Sequence, residues 1–236
     1  MNRSNFNKLE SLFNSNKLLF PVVAKRVDGS FGVGIETNIS DMLTLQNLSK
    51  ELLSKYRFIQ IEEQGKGNCY RVLVFNNQII DVICREKPFV LGNGKNTIRE
   101  LIDLKNKELS KIKYNFRISN FNERYLNSQG YNIDNVPSKE AKIYVTNIIN
   151  YHNGANSYRV DLNEIPLCNR KLFIDTAKAM NIKCSGIDYL SDDITMPYYK
   201  NNGKILELNC RPDIDIHLEN QPKHNNFYEA ILKNLK

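Results

Sequence analysis

No stretch of this 236-residue chain approaches the roughly 18 to 20 apolar residues that cross a bilayer. The opening MNRSNFNKLESLF also lacks the apolar core and small-residue cleavage site of a signal peptide. The expectation is a cytoplasmic protein with no membrane partner. Cysteine is scarce, odd in number and dispersed: Cys69, Cys84, Cys168, Cys184 and Cys210, with no C-x-x-C pair. That pattern excludes a disulfide framework and a Cys-rich zinc site, and points to reduced thiols. Histidine is rarer still, at His152, His217 and His224 with no H-E-x-x-H, which excludes histidine-based metal chemistry. Neither G-x-x-x-x-G-K-S/T nor G-x-G-x-x-G occurs, so neither of those nucleotide folds follows.

Charge is not lacking, but it is not organised. The net charge is +7, yet lysines and arginines are spread along the chain among acids, without a basic block or aromatic-basic repeat. A nucleic-acid partner is therefore not expected, and the basic groups are read as serving an anionic small molecule. With 41% apolar and 25% charged residues the composition suits one large globular domain or two intimate lobes.

What is present alternates strands with helices. Residues 5–19 are mildly helical; VVAKRV (22–27) reads as a strand, followed by the turn DGSFGVG (28–34), a short strand at Ile35-Glu36 and a leucine-rich helix over 41–56. FIQIE (58–62) is a second strand, leading through EQGKGN into YRVLVF, an Asn76-Asn77 turn and QIIDVIC, a hairpin signature. A helix starts at Thr97, where Thr97 and Glu100 have capping-box spacing. A polar stretch then runs to about residue 139, 141–150 looks extended, and 169–180 is an amphipathic helix. Residues 184–190 and 204–209 are the last strands, with a closing helix over 226–236. Hairpins mixed with helices place the chain in the α+β class, as lobes sharing a cleft.

Three constellations carry chemistry. In PVVAKRVDGSFGVG (21–34) the glycines and serine let backbone N–H groups approach an anion, and Lys25 adds a point charge for phosphate; alternatively this is a plain glycine hairpin. In KILELN (204–209), two-residue spacing sets Glu207 and Asn209 on one strand face, with Ile205 beside them and Leu206 and Leu208 opposite. If the Asp188 strand is a neighbour, two carboxylates and an amide oxygen form the hard donor set that magnesium takes; alternatively they are solvated outer-face residues. Arg71 and Arg85 lie on the two arms of the hairpin, suited to charge developing on a phosphoryl group, or to ordinary cross-strand pairing with Asp81 and Glu86.

The order Pro21-x-x-x-Lys25 with a glycine loop, Ile61-Glu62-Glu63 leading to Tyr70-Arg71-Val72, Gly186-Ile187-Asp188 and Glu207-Leu208-Asn209-x-x-Pro212 resembles the ATP-grasp carboxylate-amine ligases. Within them it is most similar to the ATP-grasp modules of cyanophycin synthetase and bifunctional glutathione synthetase, and LGNGKNTIRELID (91–103) and QGYNIDNVP (129–137) extend the match. The resemblance implies an ATP-grasp fold of two α+β lobes clasping the nucleotide, a small one over 1–66 and a large one over 67–236. It implies ATP under Lys25, Gly29, Ser30, Gly32 and Gly34, and an adenine hinge at Glu62, Glu63, Gln64 and Gly65. Asp188, Glu207 and Asn209 would hold magnesium, two ions in relatives, with manganese as a substitute. Arg71 and Arg85 would be catalytic, and Asn150, His152, Asn153 and Gly154 would meet substrate. The implied reaction joins a carboxylate to an amine through an acylphosphate, on an amino acid or short peptide.

Departures keep a second reading open. Cys69 stands where relatives carry an acid for the ribose hydroxyls, with Asn68 as a substitute; Ala155 and Asp213 replace glycines. Relatives also have an amino-terminal lobe for which this chain has some 20 residues. Either a homodimer partner or a separate chain would supply it, or a small substrate makes it dispensable. The alternative is a degenerate ATP-grasp module that binds nucleotide or a partner subunit without catalysis.

Overall fold

The computed structural model describes residues 8–15, 17–28, 34–109, 123–149, 155–218, 229 and 231–232. The chain divides into two compact units, Met1–Gly65 and Lys66–Lys236. Among the described residues, no helix is long and apolar enough to cross a membrane.

In the first unit a helix, α1 (Leu9–Asn14), precedes an antiparallel sheet ordered β2-β1-β3, from β1 (Val22–Arg26), β2 (Ile35–Ile39) and β3 (Ile59–Glu63). Helix α2 (Met42–Lys55) lies against it. Asp41 caps α2 by accepting a hydrogen bond from the Thr44 amide at 2.8 Å. The leucine spacing then does its work, because Leu45, Leu48 and Leu52 recur on one helical face and bury against Val22, Ala24, Ile39 and Ile59. Of the helical stretch expected over 5–19, α1 is the helical part among the described residues.

The second unit is built on a five-stranded antiparallel sheet ordered β10-β9-β4-β5-β8, comprising β4 (Asn68–Phe75), β5 (Gln78–Glu86), β8 (Asn156–Arg159), β9 (Cys184–Ser191) and β10 (Lys204–Asn209). Asn76 and Asn77, with φ of 49° and 64°, make the tight turn joining β4 to β5. Both angles are positive, as a two-residue primed turn requires, and asparagine tolerates them. Period-two alternation sends Tyr70, Val72, Val74, Val82, Ile187 and Tyr189 to one face, where Phe173 and Ala177 of helix α5 (Leu167–Ala179) cover them. Phe173 meets the Tyr189 ring edge-on at 5.0 Å. The opposite face carries polar residues and the short helix α6 (Asp215–Leu218).

A smaller sheet of β6 (Phe89–Leu91) and β7 (Lys142–Tyr144) packs with helices α3 (Ile98–Leu109) and α4 (Glu123–Ser128) around Val90, Ile98, Ile102, Leu126 and Ile143. The capping box is present in full: Glu100 N donates to Thr97 Oγ1 at 3.2 Å, and Thr97 N donates to Glu100 Oε2 at 2.8 Å. Thr97→Ala should therefore cost about 1 kcal/mol of stability, read by urea denaturation, with no change in ligand binding. Strands β6 and β8 and helix α4 are elements that the sequence reading passed over, and the extended stretch expected over 141–150 contains β7. Of the closing helix over 226–236, only 229, 231 and 232 are described, and these are helical.

The largest correction concerns β10. Ile205 pairs with Tyr189 and Glu207 with Asp188, so Leu206 is an extra residue in a β-bulge. Ile205 therefore does not share the face of Glu207 and Asn209; it packs with Leu208 against the core, and Leu206 is half exposed.

Candidate functional site

Register alone assembles the polar face of the large sheet. Residues directly opposite in an antiparallel ladder share a face. The pairs Glu207↔Asp188, Asp188↔Arg71, Arg71↔Ile83 and Ile83↔Arg159 thus form one row across all five strands. The neighbouring rows hold Asn209, Gly186, Leu73 and Asp81 on one side, and Leu190, Cys69, Arg85 and Ser157 on the other.

Asp188 is the hub. Arg71 Nε donates to its Oδ1 at 2.5 Å and Arg71 Nη2 to its Oδ2 at 3.3 Å, while Arg85 Nη2 reaches Oδ1 at 2.9 Å. The three side chains are about nine-tenths buried, so these charges are worth far more to one another than surface ion pairs. The cross-strand partners expected for the arginines are thereby corrected. Asp81 is taken by Arg159 and His217, and Glu86 by Lys142, Tyr144 and Tyr158.

Burial favours the neutral form of Arg85, but the Cys69 sulfur and the Asp188 carboxylate outweigh it and hold its pKa above the ordinary arginine value. Cys69 Sγ lies 3.0 Å from Arg85 Nη2. Burial pushes that thiol up against the pull of Arg85. Arg85 Nε is buried without a hydrogen-bond partner among the described residues, a donor of the kind an anionic ligand satisfies.

Gly186 makes room for this arrangement. A Cβ there would stand 2.8 Å from Arg71 Nη1 and 2.8 Å from Pro212 Cβ, so the guanidinium lies where a side chain would otherwise be. Glu207 is exposed, and Asn209 Nδ2 donates to its Oε1 at 2.9 Å. Rotating that amide exchanges donor for acceptor, leaving an oxygen beside the carboxylate. No group of three or more His, Cys, Asp or Glu suited to a metal occurs among the described residues. Two facing carboxylates and one amide nevertheless fit a magnesium ion that keeps water and phosphate oxygens as its other ligands.

The remaining candidates lie in the first unit or outside the described residues. Lys25 Nζ is 2.5 Å from Glu62 Oε1, and Glu62 Oε2 also accepts from Gln60 at 2.9 Å. Glu63 accepts from the Leu19 amide at 3.1 Å, and Gln64 exchanges two hydrogen bonds of 2.6 Å with Asn38. The side chains of Glu62, Glu63 and Gln64 are thus engaged in bracing the end of β3. Gly65 closes the first unit, and Gly34, with φ of 74°, precedes β2. Gly29, Ser30 and Gly32, like Asn150, His152, Asn153 and Gly154, lie outside the described residues. Asn68 donates its amide to Asp192 O at 2.9 Å.

Sequence reasoning missed Cys69 and Gly186 as parts of the arginine site, and the Asp81–His217–Arg159 cluster altogether. The signal for Cys69 was available, since two-residue spacing puts it on the Arg71 face.

No protein-family model matches the chain. It is 33% identical over 213 residues to cyanophycin synthetase from Synechocystis, an alignment covering 84% of the chain and 24% of that relative. Among solved structures, a bifunctional glutathione synthetase from Pasteurella multocida superposes with a TM-score of 0.58 at 19% identity, over 96% of this chain and 32% of the other. The ATP-grasp ligase PsnB, solved with a minimal precursor, Mg and ADP, gives a TM-score of 0.50 at 13% identity, over 96% of this chain and 50% of its own. The chain thus spans about a quarter of the length of the curated relative and about a third of the glutathione synthetase.

Proposed function

We propose that this chain, related in sequence to cyanophycin synthetase and sharing the ATP-grasp fold, is an ATP-dependent ligase that joins a carboxylate to an amine on an amino acid or short peptide. The observation that supports it most is the pair of nearly buried guanidiniums converging on Asp188, next to Glu207 and Asn209 on one sheet face.

The bound nucleotide with its divalent cation supplies the phosphoryl group and masks its charge. The substrate carboxylate attacks the γ-phosphorus and ADP leaves; the amine then attacks the acyl carbon, loses a proton and expels phosphate. Arg71 and Arg85 answer the negative charge of the acylphosphate and of the tetrahedral intermediate. Preorganised guanidiniums suit that task, because their orientation is already fixed by Asp188 and costs nothing at the moment of reaction. Asp188, Glu207 and Asn209 hold the cation through oxygen atoms. Lys25 is proposed to exchange Glu62 for nucleotide phosphate, alongside the backbone of residues 29–34. Glu62 to Gly65 are proposed to meet the adenine edge through main-chain groups, and Asn150, His152, Asn153 and Gly154 to meet substrate.

The test is phosphate release from Mg-ATP with pooled amino acids and dipeptides. Release should require both an acid and an amine, and Glu207→Gln should lower it about a hundredfold while weakening Mg-nucleotide stabilisation in a thermal melt. Stabilisation by Mg-ATP with no release under any mixture would instead favour a nucleotide-binding module. Cys69 and Asn68 speak for that second reading, since one is buried against Arg85 and the other is spent on Asp192.

A further inference from the structure

Helix α6 has four residues, too few to hold a helical conformation by themselves, so its place is set by what it docks on. Ile214 and Leu218 pack on Leu73 and Ile80. Ile80 is the surplus residue of a bulge between Leu73↔Asp81 and Val74↔Ile79, which brings it beside Asp81. Apolar contact is non-directional and would let so short a segment slide. A directional contact prevents this: His217 Nδ1 meets Asp81 Oδ2 at 2.8 Å, with no exposed surface on either side chain. The other Asp81 oxygen accepts from Arg159 Nε at 2.9 Å. A fully buried carboxylate is costly unless its hydrogen bonds are met, and seating one turn of helix does not by itself require one. At the other end of the same segment, Pro212 Cβ and Arg71 Nη1 each lie 2.8 Å from the point where a Cβ on Gly186 would stand. Gly186, Leu73 and Asp81 belong to one row of the sheet, beside the row of Asp188 and Arg71. Residues 212–218 thus cross three strands, with Pro212 at Gly186, Ile214 and Leu218 on Leu73 and Ile80, and His217 on Asp81.

We propose that Asp81 and His217 are positioning residues for Arg71, acting through Pro212. This deepens the ligase reading, on which its purpose rests. Asp188 fixes one edge of the Arg71 guanidinium through Nε and Nη2. Nη1 lies on the side of Gly186, where the sheet offers no side chain, and there the pyrrolidine ring is the wall. Such a wall holds the guanidinium only as well as its own anchor is held. With His217 on Asp81, the segment from Pro212 to Leu218 has one seat. Without that contact, Ile214 and Leu218 alone let Pro212 shift, and Arg71 swings away from Asp188. A guanidinium that answers developing charge is effective in one orientation, so a buried pair on β5 and α6 governs a group at the reacting centre.

The experiment follows hydrogen exchange at arginine Nε–H groups by heteronuclear NMR, in the full chain without nucleotide. The signals are assigned by their loss in Arg71→Lys and Arg170→Lys. His217→Leu should speed exchange at Arg71 about tenfold, while Arg170, whose Nε donates to Ile165 O at 2.8 Å in the α5 layer, should stay within about twofold. His217→Asn, whose amide nitrogen takes the place of Nδ1, should keep the parent rate. Pro212→Gly, which removes the wall and leaves the buried pair, should act as His217→Leu does. Unchanged Arg71 exchange in His217→Leu or Pro212→Gly, equally fast exchange in His217→Asn and His217→Leu, or a parallel rise at Arg170 overturns the proposal. If His217→Leu does not fold, Asp81→Asn, which keeps the shape and weakens the contact, decides by the same comparison of Arg71 with Arg170. In phosphate release, His217→Leu should lower kcat about tenfold with an unchanged KM for Mg-ATP, and should have no further effect once Arg71 is replaced by lysine. An equal fall in that background overturns the link to Arg71. Failure of the ligase reading appears separately, as absence of ATP-dependent phosphate release by the unsubstituted protein, because exchange is measured without nucleotide.

Discussion

Asp188→Asn is expected to stop phosphate release and to loosen the fold at once. The substitution removes half a charge network: Arg71 and Arg85, both about nine-tenths buried, lose the carboxylate that accepts three of their hydrogen bonds. Breaking a buried pair by deleting one partner costs about 3–5 kcal/mol, because it leaves uncompensated charge behind. Two guanidiniums around one neutral amide also repel, and their rotamers are no longer fixed. Loss of transition-state orientation then adds a fall in rate on the order of a hundred- to a thousandfold. Phosphate release and a urea melt, made on the same preparation, check both halves. Turnover within tenfold of the parent protein would show that Asp188 does not organise the arginines.

Gly186→Val should lower activity and stability together, by displacing one arginine. Valine suits strands better than glycine, so the local backbone is if anything favoured. Yet the first carbon it adds lies 2.8 Å from Arg71 Nη1 and 2.8 Å from Pro212 Cβ. The arginine tip can move and the proline cannot easily, so Arg71 leaves its seat beside Asp188. The expected result is a rate loss of about a hundredfold, with about 1–3 kcal/mol lost to overpacking and a further loss of up to about 3–5 kcal/mol from the broken Arg71–Asp188 pair. Full activity in this variant would mean that Arg71 does not need its present position.

The parts of the fold legible in the sequence are those whose signals are local. Asn76-Asn77 announces its turn by residue type, Thr97 and Glu100 announce a helix start by spacing, and Tyr70, Val72 and Val74 announce a strand by alternation. Strand β8, with the sequence NSYR, carries no such pattern because it is an edge strand whose place is set by β5. The placing of Asp188, Glu207 and Asn209 on one face followed from spacing once their strands were neighbours. The partners of Asp188 did not, since Arg71 lies 117 residues away and pairs with it only through the order of strands. Nearby acids such as Asp81 and Glu86 were the natural guess for the arginines. Each is instead claimed from a different strand or helix, a long-range choice that no window of sequence contains.

Leu206 has a consequence for how this chain is compared with others. Because it is the surplus residue between Ile205↔Tyr189 and Glu207↔Asp188, its removal would leave Ile205 and Leu208 on the apolar side and Glu207 and Asn209 on the polar side, joined by an ordinary ladder. A length difference of one at this strand is thus silent as to which residue faces where and is felt only as curvature. When a related sequence is set beside this one and proves one residue shorter here, the gap belongs at Leu206. Placing it after the strand would bring a leucine into line with an acid.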